Sequence, residues 1–126
     1  MNQIHETMYM LYEKDNKILK AKYKPGIYVD YEIAKQIVED RISFTGNENL
    51  AVLIYDEGIT NITREARMYL ASKQANRHIR AGAIINKSPV TSVLGNFFII
   101  VNKPSVPCKL FRNEAKAIKW LTEHFI

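Results

Sequence analysis

Residues 50–55, Leu-Ala-Val-Leu-Ile-Tyr, form an apolar run with no charged or amide side chain, and this run constrains the fold more than any other segment. A strand with one wet face alternates apolar and polar residues, whereas a strand covered on both faces does not. The run therefore predicts a central strand of a largely parallel sheet. Residues 80–85, Arg-Ala-Gly-Ala-Ile-Ile, predict a second strand of the buried type. Helical spacing surrounds these strands. Asp30 is a good N-cap for a helix whose stripe is Ile33, Ala34, Ile37, Val38 and Ile42, and Gly46-Asn47 ends it. The Thr60 to Thr63 stretch can cap a second helix over about 64–75, facing inward with Ala66, Leu70 and either Tyr69 or the stem of Lys73. Ser88-Pro89 opens a third helix running to about Asn102, since proline is pre-organised for the first helical position. A short strand at Lys109-Leu110-Phe111 and a helix opened by Asn113-Glu114, with Ala117, Ile118, Leu121 and Phe125 on one stripe, complete the chain.

Upstream, residues 8–12 and 18–23 are β-prone and separated by the polar turn 13–17, which reads as a hairpin. In the second run Leu19, Ala21 and Tyr23 alternate with Lys20, Lys22 and Lys24. The lysine row suggests a wet face that also protects an edge strand. The expected order is ββαβαβαβα, an α/β fold with an antiparallel hairpin leading into parallel strands.

Composition fits one globular domain over residues 1–126: 47% of residues are hydrophobic and 25% charged, which leaves disorder expected only at residues 1–6. No apolar run approaches the roughly 18 residues of a membrane span. The N-terminal residues show no positively charged start followed by an apolar stretch, so no secretory signal is expected. A lone cysteine, Cys108, cannot form an internal disulfide and points to a reducing, cytoplasmic setting. The net charge of +5 is uneven: residues 1–24 sum to +2, residues 25–57 to −5 and residues 58–126 to +8. That distribution suits either a solvated surface or a basic face opposed by an acidic one.

The sequence offers no catalytic or metal constellation. His5, His78 and His124 have no partner at ligand spacing, and none of the glycine-rich phosphate or nucleophile motifs is present. Cys108 reads as a buried thiol at the start of a strand. Asp56-Glu57 follows the central strand, where α/β folds often place function, but adjacent carboxylates point in different directions. No cofactor is implied. Two features stand out. Thr60, Thr63, Arg64 and Arg67 bring hydroxyls and guanidinium groups to a helix start that could hold an anion or a protein partner; plain capping with solvated arginines is the alternative. These arginines and the lysine row could track phosphates, but no aromatic-interleaved basic motif points to nucleic acid. In residues 90–101, Val90, Val93, Leu94, Phe97 and Val101 form one stripe, while Phe98, Ile99 and Ile100 fill the other directions. A helix apolar all round is buried on more than one side. Leu94, Phe97, Phe98, Ile100 and Val101 are therefore candidates for a homodimer face or a lipid-like ligand site, unless 97–101 is partly strand or is covered by the chain's own loops.

With these elements placed, the chain resembles the STAS/SpoIIAA-like superfamily and, within it, a group of small Bacteroidetes proteins of unassigned role. The resemblance covers nearly the whole chain. It rests on the hairpin, Asp-Tyr-Glu-Ile-Ala-Lys-Gln-Ile-Val-Glu-Asp-Arg at 30–41, Phe44-Thr45-Gly46, the strand at 50–55 and Ile59 to Arg67. It continues through Ser88-Pro89-Val90, Leu94-Gly95-Asn96-Phe97-Phe98, Asn102-Lys103-Pro104 and the ending Leu110 to Glu114 with Ala117-Ile118-Lys119-Trp120-Leu121. The resemblance implies a four- or five-stranded mixed sheet with packed helices. It also implies a non-enzymatic role, either as an anti-sigma antagonist binding a protein partner or as a relative of CRAL-TRIO lipid-binding domains. Antagonists of that type carry an Asp-Ser pair after the central strand, with the serine phosphorylated. Here the matching stretch has Thr60 and Thr63 and no Asp-Ser, so the location carries over and the phosphoswitch does not. The expectation is a regulatory module that forms homodimers and binds a protein partner, with an apolar-ligand carrier as the alternative.

Overall fold

The computed structural model describes residues 2–87 and 98–126. The chain runs β1 (Gln3–Glu6), β2 (Met10–Asp15), β3 (Ile18–Tyr23), β4 (Ile27–Val29), α1 (Tyr31–Thr45), β5 (Leu50–Tyr55), β6 (Ile59–Ile62), α2 (Arg64–Ala71) and β7 (Ile79–Ile85). A single π-helical turn (Phe98–Asn102), β8 (Cys108–Phe111) and α3 (Glu114–Phe125) follow. Six strands form one mixed sheet in the order β1-β2-β3-β5-β7-β8. The β1-β2 and β2-β3 pairs are antiparallel, and β3-β5, β5-β7 and β7-β8 are parallel. The α/β class and the mixed sheet are as expected. The strand count is larger than the four or five expected.

The additions have local causes. Residues 3–6, expected to be disordered, pair along the whole of β1 with β2, and the His5 ring stacks on Phe44 at 5.1 Å between centroids. β4 and β6 form a separate parallel pair over a small core of Val29, Ala34 and Ala66. Gly58 permits that second layer. A Cβ there would lie 2.2 Å from the Lys24 carbonyl oxygen and 2.4 Å from that of Tyr23, so the chain can cross only with glycine. The hairpin is tighter than expected: Asp15 pairs with Ile18, leaving Asn16-Lys17 as the turn, with Asn16 at φ 60°. The lysine row does not guard an edge. β3 is hydrogen-bonded on both sides, and Lys20 instead faces Glu13 across the strand pair and Glu114 at 4.0 Å.

The apolar run works as its composition implies. Leu50 and Val52 face one core with Met10, Tyr12, Leu19 and Ile37. Ala51 and Leu53 face the other, with Ala81, Ala83, Ala117 and Leu121. Small residues on that second face seat α3 close to the sheet, with Leu121 fully buried. Asp30 caps α1, its side chain accepting from the Ile33 N–H at 2.9 Å, and Gly46 ends the helix at φ 65°. Helix α2 is shorter than expected. It stops at Ala71, where Ser72 breaks the pattern by accepting from the Ala75 N–H through its own hydroxyl, and Lys73 is exposed. Most of the expected third helix, including Leu94 and Phe97, lies outside the described residues; its end is the π-helical turn. Among the described residues no helix is long and apolar enough to cross a membrane.

Candidate functional site

On the α1 and α2 side of the sheet the layers leave a cavity of about 160 Å³. Val52 and Ile54 of β5 and Ile84 of β7 form its sheet wall. Ile37 and Val38 of α1, Leu70 of α2 and Phe98 of the π-helical turn lie across from them. The side chains are apolar because each comes from the inward face of an element whose period buries it. Among the described residues, three charged side chains, Arg41, Asp56 and Arg67, interrupt this lining.

Asp56 follows the last residue of β5. The Lys22–Tyr55 and Tyr55–Ile85 pairings set Tyr23, Asp56 and Asn86 abreast at the carboxyl ends of three neighbouring parallel strands. Asn86 donates through Nδ2 to Asp56 Oδ2 at 2.7 Å, and both residues are buried. The other carboxylate oxygen, Oδ1, is buried with no hydrogen-bond partner among the described residues. Burial pushes the Asp56 carboxyl up from 3.8 to about 6, against the opposing effect of the Asn86 hydrogen bond. Burial, and then the Asp56 charge, push the Tyr23 phenol up to about 12. Glu57 is exposed, so the two adjacent carboxylates do face different surroundings.

Arg41 lies on the opposite side of the cavity. Its Nη1 donates to the Ala75 carbonyl at 2.9 Å and its Nη2 to the Arg77 carbonyl at 2.7 Å, tying α1 to the segment that leads into β7. Only 8% of the residue is exposed, and burial lowers the guanidinium pKa. No ion pair involves it among the described residues. Sequence reasoning passed over Arg41, yet its signal was present: it stands four residues after Ile37, on the buried stripe of α1.

The four residues expected at the α2 start take different roles. Thr63 caps the helix, accepting from the Ala66 N–H at 3.1 Å. The Thr60 hydroxyl, one strand earlier, donates to the Ile27 carbonyl at 3.1 Å. Arg64 is exposed, whereas Arg67 turns toward the cavity and donates to the Ile62 carbonyl at 2.9 Å. Of the expected apolar face, Phe98 lines the cavity, while Ile100 and Val101 point outward with 68% and 54% exposure. Cys108 opens β8 half-buried against the cavity, and burial pushes its thiol up to about 12. Among the described residues no group of His, Cys, Asp and Glu could hold a metal ion.

Comparison with known proteins places this architecture. A profile described as a domain of unknown function, DUF7793, matches residues 11–125. Among solved structures, the chain is similar to a Shewanella loihica protein of the DUF3478 family with a SpoIIAA-like fold. That match has a TM-score of 0.60 and 14% identity, and covers 96% of this chain and 92% of that one. No curated protein matches. The fold is therefore SpoIIAA-like, as the resemblance implied, and the chain belongs to the DUF7793 family.

Proposed function

We propose that the protein is a non-enzymatic binding module that takes a small apolar molecule into the cavity between the sheet and helices α1 and α2. The observation that carries this reading is the cavity itself, about 160 Å³ and bounded mainly by aliphatic side chains. Cavities of about 150 Å³ lined by Leu, Ile and Phe stay dry and accept benzene. Phe98, one of the residues expected on a ligand face, is part of the lining. The non-enzymatic reading is supported by the raised Cys108 thiol and by Asp56 and Glu57 facing different surroundings. In the same reading the module works in the cytoplasm, as its lone thiol suggests. Titration with benzene or indole, followed by chemical-shift changes of the Val52, Ile54 and Ile84 methyl groups, tests it. Saturable shifts at those methyls are expected; their absence at millimolar ligand would overturn the reading.

A second reading, a regulatory module that forms homodimers or docks a protein partner, draws support from the exposure of Ile100 and Val101. Light scattering on the wild type and an Ile100→Asp/Val101→Asp variant tests the homodimer. A wild-type dimer that the double variant converts to monomer is expected, and a wild-type monomer at millimolar concentration excludes self-association.

A further inference from the structure

We infer that the apolar molecule held in this cavity carries a carboxylate, and that Arg41 binds it. The inference rests on the cavity being a ligand site. Its basis is the position of Arg41, which lines the cavity with 92% of its surface buried yet forms no ion pair among the described residues. A buried charge without a counter-ion is costly, and backbone carbonyls compensate it only in part. The two carbonyls that Arg41 contacts, of Ala75 and Arg77, take two of the five guanidinium N–H donors and fix the plane of the group. The remaining donors suit a carboxylate, the partner that a planar fork recognises with two parallel hydrogen bonds.

Of the two other charged side chains in the described lining, Arg67 is engaged with the Ile62 carbonyl and Asp56 favours one orientation. Asp56 follows the carboxyl end of β5, whereas the segment held by Arg41 precedes the amino end of β7. Because β5 and β7 are parallel, these groups lie toward opposite ends of the cavity. A ligand with its carboxylate at Arg41 keeps its apolar body toward Ile54 and Ile84 and its negative charge away from Asp56. A cationic amine would be drawn the other way.

Calorimetric titration of the whole chain at pH 7.5 with benzoate, benzyl alcohol and benzylamine tests this assignment. The three probes share a ring and differ in the polar group. Benzoate is expected to bind at least about tenfold more tightly than benzyl alcohol, as a charge-assisted hydrogen bond implies. Arg41→Met is expected to remove that preference while leaving benzyl alcohol affinity within about threefold. Should Arg41→Met fail to fold, Arg41→Lys, which keeps the charge without the fork, is expected to weaken benzoate selectively. Benzyl alcohol or benzylamine binding as well as benzoate, or a benzoate preference that survives both substitutions, overturns the carboxylate assignment and leaves the apolar site standing. Absence of binding by all three overturns both.

Discussion

At the scale of single residues, the two positions just past β5 have opposite sensitivities. Gly58 is fixed by backbone: the atoms nearest to an added Cβ are carbonyl oxygens of Tyr23 and Lys24, which cannot rotate away. Gly58→Ala is therefore expected to lower unfolding stability by roughly 3 kcal/mol or more, read from the urea midpoint. Gly46→Ala, where the space is open and only the positive φ resists, is expected to lose about 1 kcal/mol. Asp56 is fixed by solvation. Its carboxyl ionises less readily in the fold than in the unfolded chain, so the stability it contributes is full below about pH 3.8 and is lost as pH rises through about 6. Asp56→Asn is expected to flatten the pH dependence of stability between those values. At pH 8 it should be at least as stable as the wild type; a large loss there in denaturant titrations would show that the charged form is the stabilising one. In the sequence Asp56-Glu57 simply follows the central strand; the chain that crosses Gly58 comes from a distant segment and leaves no local signal.

At the scale of elements, what was legible followed from periodicity and caps. Helix α1 emerged with its N-cap, its buried stripe and its terminal glycine because each signal is local. β1, β4 and β6 were not legible for a different reason. They are three or four residues long, and β1 has a single apolar residue, Ile4, so pairing with neighbours rather than composition makes them strands. The sequence places Thr60 to Thr63 at a helix start, because threonine and asparagine serve caps and strand ends alike, whereas Ile59–Ile62 is a strand. Only Thr63 acts as the cap. In a helix of eight residues that single hydrogen bond counts for more than in a long one. Thr63→Ala is expected to destabilise the protein by about 1 kcal/mol, with the earliest effect in amide exchange of Ala66 and Arg67, and Thr63→Asp to recover most of it.

At the scale of the whole molecule, one sheet carries two unlike interfaces. Toward α3 the sheet presents Ala51, Ala81 and Ala83, and the helix closes on them around Leu121. Toward α1 and α2 it presents larger side chains, and the layers leave the cavity. The alternation of residues 50–55 between two cores was readable from the run alone. The cavity was not, since it depends on how far apart three layers come to rest and on a buried arginine whose neighbours are about 35 residues away. Phe98, singled out in the sequence as part of an unusually apolar stretch, stands in the π-helical turn and lines the cavity. The cavity also makes the folded protein bulkier than the sum of its atoms. Where its apolar walls keep that space dry, unfolding admits solvent to it, so hydrostatic pressure should favour the unfolded chain, by a volume change on the order of tens of mL/mol. High-pressure fluorescence of Trp120 is expected to show unfolding at a lower pressure for the free protein than for one saturated with a cavity ligand, because an occupied void no longer shrinks the system when the fold opens.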